Sequence, residues 1–476
     1  MGADIRARIN HILSDRDRLL QWLSGFVIAC AIILTMPSFA IPLGLPAEGD
    51  AVDYRIPLVQ WILRHAAYPN WPWTIVDDFP SLGELLMVPL YSVSPSLTRL
   101  VPILGYAGLA AAGGGLGAIA GKNCGLRART LFLVGMAWIL CLRPVTIQSN
   151  LLMVDNFAYC FLLGSLWLLL KEKSAAAGLL AGLSMAVRYT TWATAALLPV
   201  LLFLQLSKER RARAFWLFCL MAALGPLPFM VRNFLVNDGY IFFPIGKSGD
   251  WYSPINAYGR GKDVLSFLLL PFDLLYTNSF VRSMFDYTLG KLFFIQLFFV
   301  AWVSRKGFRF SLPRGPAAVL AFFAAYHLLV WFFSGQQMRF LIPSLVIANI
   351  GMMIFLARAP VLLALVTLAG LFSVLSVQKD SILIALGRKG TIFEGATRNA
   401  QDCLQRSGVG AGLVGFEIRD GVLGYLDIDF QYVSGHPYYL PVDGLEGPTW
   451  IYSKANRPGY DPWPSKAPCL QKRVVK

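Results

Sequence analysis

The sequence predicts a polytopic α-helical membrane protein, with about eleven transmembrane helices, that ends in a soluble α+β domain. Hydrophobic residues make up 56% of the 476 positions and charged residues 14%. A soluble domain of this length carries about a quarter charged residues. Many apolar runs reach the roughly 20 residues that a helix needs to cross a bilayer, and none does so after residue 379.

The first apolar run, residues 20–42, follows basic residues and could be a signal peptide. It lacks a small-residue cleavage site and further spans follow it, so we interpret it as a retained anchor. Beyond it, the predicted spans are residues 98–120, 130–148, 153–170, 174–189, 190–206, 214–236, 288–303, 316–334, 339–357 and 360–378.

Basic residues predict the orientation of these spans. The formal net charge of +15 could indicate a nucleic-acid partner. Lys and Arg instead collect at the N-terminus and in alternate short loops, as the positive-inside rule requires: residues 122–129, 171–173, 207–214 and 304–314. We therefore predict a multi-pass protein of the bacterial inner membrane, with no nucleic-acid partner and a cytoplasmic N-terminus. An odd number of spans places the tail in the periplasm.

This pattern predicts two domains, a transmembrane domain over residues 1–379 and a soluble periplasmic domain over residues 380–476. The first outer loop, residues 43–97, contains two short amphipathic segments at 54–65 and 81–93. They are too short to cross, and we predict that they lie along the membrane interface.

Cysteines differ between the two domains. Cys403 and Cys469 are the two cysteines of the tail, and an even pair in an oxidising compartment predicts a disulfide bond between them. The other cysteines lie in or beside the predicted spans, and we interpret them as packing residues: Cys30, Cys124, Cys141, Cys160 and Cys219.

Motifs for soluble chemistry are missing from the sequence. It has no Walker loop, dinucleotide fingerprint, Cys or His metal cluster, or nucleophile elbow. The histidines His11, His65, His327 and His436 are scattered, and none is predicted to be catalytic. A donor that needs a nucleotide-binding domain is therefore disfavoured, and neither a cofactor nor a metal is predicted.

Charged side chains at the outer membrane surface are informative, because a charge at membrane level is costly unless it has a function. Arg groups bind phosphate through paired hydrogen bonds, and a carboxylate can act as a base towards an acceptor hydroxyl or amine. The combination predicts transfer of a group from a lipid phosphate, against the alternative of interfacial snorkelling and ion pairing. The residues concerned are Asp50, Asp53, Asp77, Asp78, Glu84, Asp155, Arg188, Arg232 and Arg339.

Several motifs resemble a known family. Asp50 and Tyr54 form a D-x-x-x-Y pattern just after the first span, and Asp155 begins the fourth. RNFLVNDGYIFFP (232–244) and RFLIP (339–343) are similar to R-N-x-x-x-x-G-N-P-x-x-P and R-Y-x-x-P segments of bacterial members. The family is the GT-C superfamily of polytopic glycosyltransferases that use polyprenyl-phosphate-linked sugars, including ArnT-like and protein O-mannosyltransferase-like enzymes.

The resemblance covers residues 20–378 and does not extend to the tail. The sequence departs from the family pattern at two places. Arg55 stands where family members have His after the Tyr, and Asp238, Gly239 and Tyr240 replace G-N-P.

The resemblance implies a GT-C-like fold and an inverting transfer that needs no nucleotide and no obligatory metal. Asp50 would be the general base that deprotonates the acceptor, with Asp53 as the rival base, and Asp155 would orient the acceptor or assist Asp50. The implied partners are a polyprenyl-phosphate-linked sugar donor, a glycan, lipid or protein acceptor, and membrane lipids. The implied substrate-binding residues are Asp53, Tyr54, Asp78, Glu84, Arg188, Arg232 and Arg339, of which the arginines would hold the departing phosphate.

Two other functions compete with this interpretation. A transporter or flippase for a lipid-linked or anionic solute would use the arginines as a binding site. It predicts charges near the centres of spans and paired half-sequences, and the sequence shows neither. A noncatalytic subunit for envelope assembly would use the tail as its binding module, and it predicts that Asp50 and Asp155 can both be replaced without effect.

Overall fold

The computed structural model describes residues 15–40, 55–68, 79–206, 208–237, 239–242, 261–275, 289–305 and 315–386, and five short strands beyond residue 413. Helices make up most of these residues. The first nine are α1 (Arg16–Thr35), α2 (Ile56–His65), α3 (Leu82–Val93), α4 (Leu100–Ala120), α5 (Ala128–Leu140), α6 (Arg143–Asn150), α7 (Asp155–Leu169), α8 (Ser174–Val187) and α9 (Trp192–Ala195).

Eight more helices complete the described helical part of the chain. They are α10 (Leu198–Gln205), α11 (Lys208–Ala223), α12 (Leu227–Val236), α13 (Val264–Leu275), α14 (Lys291–Ser304), α15 (Pro316–Phe333), α16 (Ile342–Leu356) and α17 (Pro360–Ala385). Short 3₁₀ helices cover Met36–Ala40, Pro95–Arg99, Tyr189–Thr191 and Met338–Leu341.

Prolines determine where many of these helices begin. Pro occupies the first turn of α2, α6, α10, α12, α15, α16 and α17. At that position its missing N–H costs no hydrogen bond and its fixed φ suits a helix. Two of these starts follow a sharp bend, of 64° between α5 and α6 and of 54° between α11 and α12. Pro144 and Pro226 lie at the bends, as expected for a residue that cannot continue a helix.

The prediction of a polytopic α-helical membrane protein is confirmed. Five described helices are long and apolar enough to cross a membrane, and the number is seven if each bent pair is one span. Shorter apolar helices coincide with further predicted spans: Asp155–Leu169, Ser174–Val187, Tyr189–Phe203 and Leu292–Ser304. The total of eleven spans stays a prediction.

Two predicted spans are interrupted at one end. Residues 190–206 were expected as one helix, and they form the end of a 3₁₀ turn followed by α9 and α10. Residues 339–357 begin in a 3₁₀ helix before α16. Pro199 and Pro343 lie in the first turns of α10 and α16, where a proline has no N–H to extend a preceding helix.

Contacts between helix ends agree with an alternating path of the chain. The Arg127 Nε atom lies 3.3 Å from Asp17 Oδ2, and Gln21 donates to Thr130 Oγ1 at 2.9 Å, so α1 and α5 begin at the same end. These two starts flank loops that the basic residues predict to be cytoplasmic. The direction of the path relative to the membrane stays a prediction.

Glycines allow α8 and α11 to approach closely. Gly178 and Gly182 lie one turn apart on α8, and a Cβ atom at either would collide with the backbone of Phe218 or Ala222. Small residues four positions apart are typical of interfaces between membrane helices. Buried side chains from helices between α1 and α17 form one large apolar core around such contacts.

A second, smaller core lies beneath α2 and α3. Ile56 and Val59 of α2 and Met87 of α3 pack with Leu152 and Val154, which precede α7. The two predicted amphipathic segments are therefore helices that rest on the start of α7. This packing places the first residues of α2 and α3 next to the residues that precede α7.

The tail contributes a five-stranded sheet in the order β2-β1-β3-β5-β4. Strand β1 pairs in parallel with β2 and β3, and β5 pairs antiparallel with β3 and β4. The strands are β1 (Val414–Phe416), β2 (Phe430–Tyr432), β3 (Trp450–Tyr452), β4 (Tyr460–Pro462) and β5 (Leu470–Arg473).

Beyond residue 386, the described residues of the tail are these strands, and the α+β domain over residues 380–476 stays a prediction. The predicted disulfide partners Cys403 and Cys469 lie outside the described residues, so their bond stays a prediction. The five cysteines of the helical part carry free thiols, with Cys141 buried and the others half-buried.

Candidate functional site

Several charged side chains lie at one end of the bundle, at points where helices start or are interrupted. These interruptions are the start of α2, the turn between α6 and α7, the break between α8 and α9, and the break between α15 and α16. Arg55, Asp155, Arg188 and Arg339 each lie at one of them. The site is therefore built from chain ends and turns that the membrane helices hold in place.

Arg55 and Glu84 form a buried ion pair between α2 and α3. The Arg55 Nη1 atom contacts Glu84 Oε1, and the two residues are 0% and 3% exposed. Two opposite charges can be buried together because each stabilises the other, and removing one partner of such a pair costs about 3–5 kcal/mol. The pair fixes the first turn of α3 against the start of α2.

Met153 lies between two guanidinium groups that are far apart in sequence. Its sulfur atom is 3.8 Å from Arg55 Nη2 and 3.5 Å from Arg339 Nη1. A thioether is a weak acceptor, so these contacts contribute little energy, but they place the two cations on either side of one sulfur atom.

Asp155 and Arg188 form a second buried ion pair. Arg188 Nη2 lies 3.2 Å from Asp155 Oδ2, and Asp155 is 0% exposed. Asp155 is the first residue of α7, where the helix dipole favours a negative charge. Its second oxygen, Oδ1, is buried and has no hydrogen-bond partner in the described part of the chain.

Tyr159 connects this pair to Arg339. It lies one turn after Asp155 on α7 and is 0% exposed. The charged groups around its hydroxyl are those of Asp155, Arg188 and Arg339, and Thr190 lies within hydrogen-bonding reach of it.

Arg339 is held by its neighbours in the 3₁₀ helix. Its Nε atom donates to Gln337 Oε1 at 2.7 Å, and its guanidinium lies 5.1 Å from the centre of the Phe340 ring. The residue is buried, with 7% of its surface exposed. Its guanidinium is thus fixed towards the interior of the cluster rather than extended to the membrane surface.

Arg232 lies at the edge of the cluster. Its guanidinium stacks over the Tyr68 ring at 4.7 Å and donates to Asn233 Oδ1 at 3.3 Å. Asn233 in turn donates to the Tyr189 hydroxyl at 3.2 Å, and Tyr189 directly follows Arg188. A chain of side-chain contacts therefore joins α12 to the break after α8.

The described charges of the site are mainly positive. Arg55, Arg188, Arg232 and Arg339 contribute four guanidinium groups. Two described carboxylates, of Glu84 and Asp155, oppose them. Guanidinium groups can bind an anion such as a phosphate through paired hydrogen bonds. No group of three or more potential metal ligands of the His, Cys, Asp or Glu type occurs among the described residues.

The structure brings together four of the sequence-predicted site residues, and a fifth lies at the edge. Glu84, Asp155, Arg188 and Arg339 belong to the cluster, and Arg232 borders it. The remaining candidates lie outside the described residues, so their roles stay predictions: Asp50, Asp53, Tyr54, Asp77 and Asp78.

Sequence reasoning missed other members of the cluster. Arg55 was visible only as a departure from the family pattern, and its pairing with Glu84 needed the fold. Tyr159 could have been found, because it lies one helical turn after Asp155 and so shares its face. Met153 gave no signal, since a Met in an apolar run is common.

Comparisons with known proteins support the fold. No protein-family model matches the sequence, and no curated protein matches it. Two solved structures do, both of ArnT from Cupriavidus metallidurans. The structure bound to undecaprenyl phosphate is 14% identical, covers 86% of this chain and 85% of its own, and has a TM-score of 0.56. The apo structure is 13% identical, covers 87% and 86%, and has a TM-score of 0.56.

Identities this low establish a common fold and no more. The match extends over most of both chains. The chain therefore has the GT-C-like fold that its short motifs predict.

Proposed function

We propose that this protein is an inverting glycosyltransferase that moves a sugar from a polyprenyl-phosphate-linked donor to a glycan, lipid or protein acceptor. The transfer takes place at the outer face of the inner membrane. The observation that carries the proposal is the buried cluster of guanidinium groups at one end of a GT-C-like fold. One structure with that fold is bound to undecaprenyl phosphate.

The arginines hold the phosphate of the donor. Arg339 is buried and its guanidinium is fixed by Gln337, so it can present a fork to a phosphate with little further ordering. Arg188 and Arg232 approach from the neighbouring break and from α12. During transfer the bond between the sugar and the phosphate breaks, and negative charge develops on the leaving phosphate. Fixed positive groups in a buried site stabilise that charge.

The carboxylates act on the acceptor. Asp50 takes the proton of the acceptor hydroxyl or amine, with Asp53 as the rival base, and the acceptor attacks C1 of the sugar from the face opposite the phosphate. Asp155 orients the acceptor, since one oxygen is paired with Arg188 and the other is directed to no described partner. Glu84 contacts substrate through its Oε2 atom or through Arg55, because its Oε1 atom is already paired with Arg55.

The topology belongs to the same proposal. Eleven spans with a cytoplasmic N-terminus place the cluster, at the ends of α8 and α15, on the periplasmic side. Residues 380–476 then form a periplasmic domain in which Cys403 and Cys469 are bonded. The guanidinium cluster would also serve a transporter for a lipid-linked anion, and this is the second candidate function.

Mass spectrometry of envelope glycolipids and glycans tests the proposal. Cells with the wild-type protein should contain one glycosyl residue that is missing from cells without it and from cells with Asp155→Asn. Asp17→Asn is a matched control, because Asp17 is also a buried carboxylate paired with an arginine, at the opposite end of the bundle. Identical glycans in all strains would contradict the proposal. Accumulation of the sugar-lipid on the cytoplasmic side would instead favour the transporter.

A further inference from the structure

Side chains in the last turns of α15 connect the two breaks that carry Arg188 and Arg339. His327 and Trp331 contact the break that carries Arg339, and Tyr326 and His327 contact α9, which directly follows the break that carries Arg188. We call these three residues the α15 brace. None of them has a role in the proposed chemistry.

The brace holds the break that carries Arg339 at two points. Trp331 Nε1 donates to the Gln337 carbonyl at 2.6 Å, and His327 Nε2 donates to the Phe340 carbonyl at 2.8 Å. These carbonyls lie on either side of Arg339 in sequence. The Gln337 side chain also accepts from Arg339 Nε at 2.7 Å. Trp331 therefore fixes the backbone of the residue whose side chain fixes the guanidinium.

The brace holds the break after α8 through α9. A carbonyl can only accept, so His327 Nε2 carries the proton and Nδ1 is the acceptor. Thr194 therefore donates its hydroxyl proton to Nδ1 at 2.7 Å, and the Tyr326 hydroxyl donates to the Ala193 carbonyl at 3.2 Å. Thr194, His327 and Trp331 are all buried.

We propose that the α15 brace sets the separation of the Arg188 and Arg339 guanidinium groups and thereby the affinity for the phosphate of a polyprenyl-phosphate lipid. This inference rests on the proposed function. The 3₁₀ helix around Arg339 is short and has weaker backbone hydrogen bonds than an α-helix, so side-chain donors are needed to fix it. Thr194, His327 and Trp331 are positioning residues, since they act through the arginines rather than on the substrate.

A matched pair of tryptophan variants tests the inference. Trp331→Phe removes the N–H that holds the Gln337 carbonyl. Trp138→Phe removes an equally buried N–H, which donates to Thr367 Oγ1 at 2.8 Å between α5 and α17 and does not reach the cluster. Binding of undecaprenyl phosphate and of undecaprenol, which lacks the phosphate, is measured for purified protein in nanodiscs. This readout does not require transfer activity.

Both variants should lose thermal stability, but only Trp331→Phe should bind undecaprenyl phosphate more weakly. The loss should be about tenfold, the upper end of the net effect of one hydrogen bond, because the Gln337 backbone also positions the side chain that holds Arg339. Undecaprenol binding should not change. In an Arg339→Gln background, Trp331→Phe should cause no further loss, since the two changes remove the same interaction.

Thr194→Val provides a second variant that keeps side-chain volume and removes only the hydroxyl donor. It should weaken undecaprenyl phosphate binding about fivefold, the effect of one hydrogen bond. Equal phosphate-lipid affinities for Trp331→Phe, Thr194→Val and Trp138→Phe would overturn the inference, and so would additive losses with Arg339→Gln. A wild-type protein that does not distinguish undecaprenyl phosphate from undecaprenol would overturn the proposed function as well.

Discussion

Replacing Glu84 with Leu should destabilise the protein, and adding Arg55→Met should restore most of the lost stability. Glu84 and Arg55 are 3% and 0% exposed, so the single change leaves the Arg55 charge buried opposite an apolar side chain. Breaking one side of such a pair costs about 3–5 kcal/mol. Replacing both partners with apolar residues also removes the buried charge of Arg55, and comparable replacements are often neutral.

Thermal unfolding of purified protein in one detergent is the assay for this prediction. Glu172→Leu is the control, because Glu172 pairs with Arg210 at 3.7 Å and both side chains are exposed, at 62% and 75%. An exposed pair contributes less than about 1 kcal/mol, so this variant should unfold close to the wild-type temperature. The reasoning would be refuted if Glu84→Leu unfolded like Glu172→Leu, or if the double variant were less stable than Glu84→Leu.

The same double variant separates the two roles of Glu84. If Glu84 serves only to compensate Arg55, the double variant should be stable and should keep its activity. A stable double variant without activity would indicate that the pair also contacts substrate, as the sequence predicts for Glu84. Donor binding and acceptor binding, measured separately, would then show which substrate the pair contacts.

Three further predictions concern the donor, the tail and helix packing. Arg339→Lys should raise the KM for the donor while the protein stays folded, since Lys cannot reproduce a bidentate fork; an unchanged KM would contradict it. Cys403 and Cys469 should react with a membrane-impermeant maleimide only after reduction, because a disulfide bond leaves no free thiol; labelling before reduction would exclude the bond. The bond would close a loop of about 66 residues and stabilise the tail by roughly 4 kcal/mol. Gly182→Ala should lower the unfolding temperature by forcing α8 from α11, at about 1–3 kcal/mol, whereas Gly25→Ala, with open space around it, should not.

The helices could be predicted because burial in a membrane requires long apolar runs. The span predicted at 316–334 coincides with α15, Pro316–Phe333, and the span at 98–120 with α4, Leu100–Ala120. The breaks could not be predicted in the same way. Residues 190–206 remain apolar across the short interruption between α9 and α10, so hydropathy alone predicts one span where the structure has two short helices.

The members of the site could be predicted better than their pairings. Arg188 and Arg339 were found because charges at membrane level are rare. Their positions relative to Asp155 and Met153 depend on how distant spans pack, which hydropathy and short motifs do not predict. His327 was judged scattered and without a role, and only the fold shows it between Thr194 and the Phe340 carbonyl.

Transfer by the purified protein is the most direct test of the central claim. A polyprenyl-phosphate-linked sugar is supplied in nanodiscs with envelope acceptors, and the product and its anomeric configuration are determined. We predict a product of inverted configuration and released polyprenyl phosphate. Asp50→Asn should slow the transfer by about a hundredfold to ten-thousandfold while stability stays near wild type. Transfer at the wild-type rate in Asp50→Asn with loss in Asp53→Asn would move the base to Asp53, and no transfer by the wild-type protein to any acceptor would contradict the account.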